Sequence, residues 1–146
     1  MSDDLTAFIT YCLSPDPPEN KQVVLGPIPS LVIEKVLLDS SIDLTNYVFT
    51  IDVYTVRHIM KSHGNKLKEE VRGQKAITVD DFNLLYDIVS QPDTVFYDGL
   101  NRIGREVLQF QKQVGDLHII LKEVRTGKRQ LALNSMRIIK TKRNQG

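Results

Sequence analysis

Apolar residues recur at helical spacing in the first part of the chain and at alternate positions in the last. Leu5, Phe8, Ile9, Cys12 and Leu13 follow an i, i+3, i+4, i+7, i+8 pattern and predict a short amphipathic helix. Ser14-Pro15-Asp16-Pro17-Pro18 stops it, because proline lacks the amide that a helix interior uses and biases the preceding residue toward extended backbone. The helix before this linker is therefore expected to be loosely attached. Val23-Val24-Leu25 predicts a short strand, and a helix should begin at about Ser30, with Leu31, Ile33, Val36, Leu37 and Leu38 as a mixed apolar face. Tyr47-Val48-Phe49-Thr50-Ile51 is β-branched and aromatic and reads as a strand.

The segment after that strand carries both a start and a stop signal. Asp52 can cap a helix by accepting from the free amides of its first turn, and Gly64 is expected to end it in the left-handed region. Val56, Ile59 and Met60 would face a core. Asn65 to Lys75 is hydrophilic and is expected to be a mobile or short helical connection. Thr78 with Asp81 three residues on suggests a capping box, and one helix should run through Phe82, Leu85, Tyr86 and Val89 to end before Pro92. Thr94 to Tyr97 reads as a strand closing at Asp98-Gly99. From there the period becomes two. Glu106–Val114, Leu117–Arg125 and Arg129–Ile139 are strand candidates, joined by Gly115-Asp116 and Thr126-Gly127-Lys128 as hairpin turns. Helices first and an antiparallel meander second define an α+β domain, with N-terminal helices packed on one face of a C-terminal antiparallel sheet.

At 146 residues and 16.6 kDa the chain suits one domain with a real core. No apolar run approaches the roughly 20 residues of a membrane span. Met1-Ser2-Asp3-Asp4 lacks a basic n-region, so no signal peptide is expected and action in a cytoplasm is. Cys12 is the only cysteine, which excludes an internal disulfide and a cysteine-based zinc site. The net charge of +1 hides an asymmetry: residues 1–100 hold eight Lys and Arg against fifteen Asp and Glu, and residues 101–146 hold eleven against three. A basic C-terminal third can attract a polyanion, or be the solvated face of a sheet.

His58 and His63 lie five apart, which at about 100° per residue puts them on different sides of a helix. They make a poor metal pair, and with His118 remote in sequence and no carboxylate cluster, no metal is expected. His63 near the helix end, where carbonyls favour imidazolium, is a candidate proton donor or simply a capping residue. Arg57 and Lys61, one turn apart, could face a phosphate or form a solvated basic face. Ser135 and Asn134 are polar residues in an otherwise apolar strand, which suggests either edge exposure or projection into a site. Arg102 and Arg105 are flanked by Gly99 and Gly104, but without phosphate-loop spacing. Histidines, arginines, a lysine and a hydroxyl together suit RNA cleavage without metal. That chemistry needs a base for the 2′-OH, an acid for the leaving 5′-oxygen and cations around the crowded phosphorus.

The order Ile51-Asp52, Arg57-His58-Ile59, His63-Gly64, Arg72-Gly73-Gln74, Thr78 with Asp81-Phe82, Glu123-Val124-Arg125-Thr126-Gly127-Lys128 and Leu131-Ala132-Leu133 with Ser135-Met136 resembles the phage-associated nuclease domains of the barnase–EndoU–colicin–RelE group. Such domains occur at the C-termini of phage head-morphogenesis proteins and of polymorphic and contact-dependent toxins. The resemblance covers Val23 to Lys142. It leaves residues 1–22 as a helix and linker and 143–146 as a basic tail.

What the resemblance implies is metal-independent endoribonuclease activity on the sheet face away from the helices. It places the Arg-His and His-Gly motifs on Arg57, His58, His63 and Gly64, the Glu-x-Arg strand motif on Glu123 and Arg125, and the final hydroxyl on Ser135. The family's last strand is similar to Thr-Met-Tyr, so Arg137 stands where an aromatic is usual and could hold phosphate. The expected catalytic residues are His58, His63, Arg125 and Ser135, with Arg57, Lys61 and Arg137 binding substrate. No cofactor is expected. The expected partners are RNA, tRNA among the candidates, and an acidic immunity protein if the domain is a toxin effector. The rival readings are a non-catalytic phage structural or nucleic-acid-binding module and a metal-dependent nuclease acting on DNA.

Overall fold

The computed structural model describes residues 2–16 and 19–141, so Pro17, Pro18 and the basic tail at 143–146 lie outside the described residues. The chain runs α1 (Ser2–Cys12), β1 (Gln22–Pro27), α2 (Ser30–Ser40), β2 (Val48–Asp52), α3 (Val53–His63), α4 (Lys66–Val71), β3 (Gln74–Lys75), α5 (Val79–Asn83) and α6 (Leu85–Ser90). The strands β4 (Thr94–Leu100), β5 (Glu106–Val114), β6 (Asp116–Arg125) and β7 (Gln130–Ile139) follow, with a 3-10 turn at Thr126–Lys128 between the last two. The α+β expectation holds: among the described residues the six α-helices fall before β4 with β1, β2 and β3 among them, and all the strands join one seven-stranded, mostly antiparallel sheet in the order β1-β2-β7-β6-β5-β4, with β3 also beside β7.

Three details depart from the sequence pattern. β2 pairs with β7 in parallel, through Val48–Gln130, Phe49–Leu131 and Thr50–Ala132. The hydrophilic stretch after Gly64 takes the short helical form of the two expected, α4, capped by the Asn65 side chain accepting from Lys68 N at 3.1 Å, and departs only in adding the two-residue strand β3. The single helix expected from Thr78 breaks into α5 and α6 at Leu84. Its capping box is present, with Thr78 N donating to Asp81 Oδ2 at 2.7 Å.

The core lies between the helices and one sheet face. Phe49, fully buried, meets Tyr86 and Phe110 edge-on, with ring centroids 6.0 Å away in each case. This is the favoured arrangement of aromatic quadrupoles. Ile9 and Cys12 of α1 are also fully buried, and α1 packs on α3 and α5. The first helix is thus part of the core, contrary to the loose attachment that the prolines suggest. Gly26, with φ of 158°, lets β1 bulge against Tyr86, whose hydroxyl donates to Pro27 O at 3.0 Å. Among the described residues no helix is long and apolar enough to cross a membrane.

Candidate active site

β6 lies along one edge of β7, while the other edge has β2 beside residues 130–132 and β3 beside residues 138–139. Residues 133–137 have no strand neighbour on that side, and α3, which starts where β2 ends, packs against β7. Opposite this stretch the β6–β7 register shifts: Leu121 pairs with Ser135 and Lys122 with Leu133, so Asn134 is an extra, bulged residue. A bulge re-aims side chains and is common beside active sites. Here Asn134 and Ser135 line a cavity of about 510 Å³ together with exposed His58 of α3, Glu123 of β6 and the loop residues Asn101, Arg102 and Ile103.

Glu123 is the hub. Its Oε1 accepts from Asn101 Nδ2 at 2.7 Å, and its Oε2 from Arg125 Nε at 2.7 Å and Arg105 Nη1 at 3.1 Å. Burial alone would push this carboxyl up, but the bonds from Arg125, Asn101 and Arg105, with the charge of Arg125, outweigh it and hold the group below its ordinary value. Asn101 also shapes its own loop. Its Oδ1 accepts from the amides of Ile103 at 3.2 Å and Arg105 at 3.0 Å, which presents Arg102 and Arg105 to the sheet. On the other side, Asp52 caps α3 by accepting from Thr55 N at 2.8 Å, and its second oxygen lies 3.6 Å from Arg125 Nη2. One carboxylate therefore links the helix that carries His58 to the strand that carries Glu123.

The expected site residues separate into two groups. His58 and Ser135 line one cavity, and Arg125 bonds its Glu123 wall. Arg137 follows Ser135 by two positions, on the same sheet face and opposite Ile119. His63 stands elsewhere: its Nδ1 is 3.2 Å from Glu69 Oε2, a fully buried carboxylate that Arg72 Nη1 also meets at 2.9 Å. Arg57 points to α1, where its Nη1 donates to Cys12 O at 2.8 Å and Ser14 O at 3.1 Å. Lys61 is exposed on α3 and does not line the cavity. Helical spacing explains the split, because Arg57 and His63 leave α3 in directions other than that of His58.

Asn101, Arg102 and Arg105 were not among the expected site residues, Asn134 was singled out only as a polar residue in an apolar strand, and Glu123 only by its strand motif. The glycines around Arg102 and Arg105 were the available signal for the loop, but nothing in their spacing reveals the turn that Asn101 builds. Among the described residues no three His, Cys, Asp or Glu side chains cluster as a metal ligand set.

A sheet with helices on one face and a carboxylate, an imidazole and several guanidiniums gathered at a cavity beside its last strands has the layout of a small α+β nuclease domain. Residues 28–145 match the family model described as phage-Barnase-EndoU-ColicinE5/D-RelE like nuclease3, and the chain belongs to that nuclease family. No curated protein and no solved structure matches the chain.

Proposed function

We propose that this protein is a metal-independent endoribonuclease that cuts RNA by attack of a 2′-OH on its own phosphodiester, leaving a cyclic phosphate. The observation that carries this reading is the meeting of Glu123, His58 and Ser135 at one cavity, with Arg105 and Arg125 bonded to the carboxylate. Glu123 takes the 2′-OH proton. Among the described residues its Oε1 accepts one bond, from Asn101, which leaves a lone pair for the proton. His58 gives a proton to the leaving 5′-oxygen, and the guanidinium of Arg102, which lines the same cavity, stabilises the charge gathering on the phosphoryl oxygens. Ser135 and Asn134 supply hydrogen bonds to the substrate. Arg137, on the same face as Ser135, and Lys61 lie on the approaches for flanking phosphates. His63 and Arg57 act as scaffold, the one joining α3 to α4 and the other holding α1.

Our reading extends to a toxin effector or a phage-encoded nuclease acting in a cytoplasm, with tRNA among the candidate substrates; the match to a phage-associated nuclease family supports the nuclease part of it. An effector of this kind would be matched by an acidic immunity protein, since complementary charge speeds and orients docking on a basic site. Incubation with total RNA in EDTA tests the chemistry. Cleavage to cyclic-phosphate ends is expected, with His58→Ala and Glu123→Gln each slowed about 10²- to 10⁴-fold. Intact RNA with the unmutated protein, or full rates in both variants, would falsify the proposal. Activity on DNA abolished by the chelator would favour a metal nuclease instead.

A further inference from the structure

We infer that a second cavity, next to the candidate active site, holds another phosphodiester of the same RNA strand, adjacent to the bond that is cut; this rests on the endoribonuclease reading above. The cavity, about 540 Å³, is lined by Arg105, Arg125, Thr126 and Lys128, with Glu106 as its one carboxylate. Glu123 forms the partition. It lines the first cavity, while the two arginines bonded to it line the second.

The arginines reach the partition with only part of their donor sets. Arg105 bonds Glu123 through Nη1, and Arg125 does so through Nε. A guanidinium carries five N–H donors in a rigid fork, so each keeps donors for an anion while the carboxylate fixes its plane. Lys128, exposed and part of the lining, forms no ion pair among the described residues and adds a positive charge. Thr126 contributes a hydroxyl. Glu123 and, for Arg125, Asp52 at 3.6 Å offset the charge of the arginines, so what the lining offers is their remaining planar donors, fixed in advance, together with Lys128, and this set suits a phosphate better than a sugar or a base. A strand whose scissile phosphate lies against Glu123 and His58 carries its next phosphate one nucleotide away, and the arginines bonded to Glu123 line the cavity that would receive it. The second cavity therefore takes a group that the substrate necessarily brings.

The probes are a 2′-O-methyl trinucleotide with two phosphodiesters, which cannot be cut through a 2′-OH, and two versions in which one linkage or the other is a neutral methylphosphonate. Binding to the full chain is measured by calorimetry for the unmutated protein and for Lys128→Ala. In the unmutated protein, neutralising either linkage should weaken binding about tenfold, as for loss of a charged hydrogen-bonding pair. In Lys128→Ala, neutralising one particular linkage should cost much less, and neutralising the other should cost as before. The inference is overturned by a single sensitive linkage in the unmutated protein, by no measurable binding of any probe, or by a Lys128→Ala loss that is the same for all three. Cleavage of the matching ribo-trinucleotide in EDTA is followed in parallel. Its absence sinks the endoribonuclease reading alone, since the binding series judges the second cavity with uncleavable probes.

Discussion

Glu123 is drawn in two directions, by burial that favours its neutral form and by donors that favour its anion, and the donors win. The acidic limb of the cleavage rate should therefore lie below the ordinary glutamate value of about 4.3. Arg125→Ala removes the leading donor together with its charge, leaves burial less opposed and should move that limb upward; a pH profile that stays in place would contradict the assignment. Lys122, the residue just before, shows burial without compensation. It is fully buried, its Nζ has no hydrogen-bond partner among the described residues and lies 5.2 Å from the Phe49 ring centroid, and burial pushes its amine down to about 7. An unfolded chain takes up this proton below about 10.4, whereas the folded protein resists until near 7. Stability should thus fall as pH drops from about 10.4 toward 7, and this group adds no further slope below that. Lys122→Met, which keeps the volume, should raise Tm at neutral pH and flatten that slope, as thermal melts across the range would show.

At the scale of elements, α3 sets the site because both its ends are tied. Asp52→Ala should cost about 1 kcal/mol through the lost cap. It should also lower kcat by freeing Arg125, a pairing of effects that a purely structural cap would not produce. The C-terminal end differs from the pattern-based expectation. Gly64 has φ of −92° and is not left-handed, but a Cβ there would collide with the Met60 carbonyl oxygen. Gly64→Ala should lower Tm and loosen the His63–Glu69 junction with α4. The caps of α3 and α5 and the strands β5 to β7 were legible because side-chain type and local period determine them. The pairing of β2 with β7 was not, since no local period names a partner some 80 residues away. Ser135 stood out as a hydroxyl in an apolar strand. Its neighbour Asn101 could not, because it acts through backbone amides of a turn that exists only once folded.

For the whole molecule, the family match begins at residue 28, yet β1 and α1 precede it, and Ile9 and Cys12 belong to the same core as Phe49 and Phe82. Deleting residues 1–16 should lower stability by roughly 3 kcal/mol, the order expected for uncovering two buried apolar side chains and their partners. A urea midpoint unchanged by the deletion would contradict the packing. Arg57→Ala should give a smaller loss of the same kind by releasing the end of α1, with cleavage per folded molecule retained. The crossing from β2 to β7 also bears on when the candidate site becomes whole. Contacts between distant segments form late, because loop-closure entropy must be overcome before they stabilise anything. His58 meets Ser135 and the Asn134 bulge only after β7, the last strand of the sheet, has docked beside β2. Until then the chain carries these side chains without the cavity that gathers them. The candidate site is thus the last part of the sheet to be completed, and its assembly reports that the whole fold has closed.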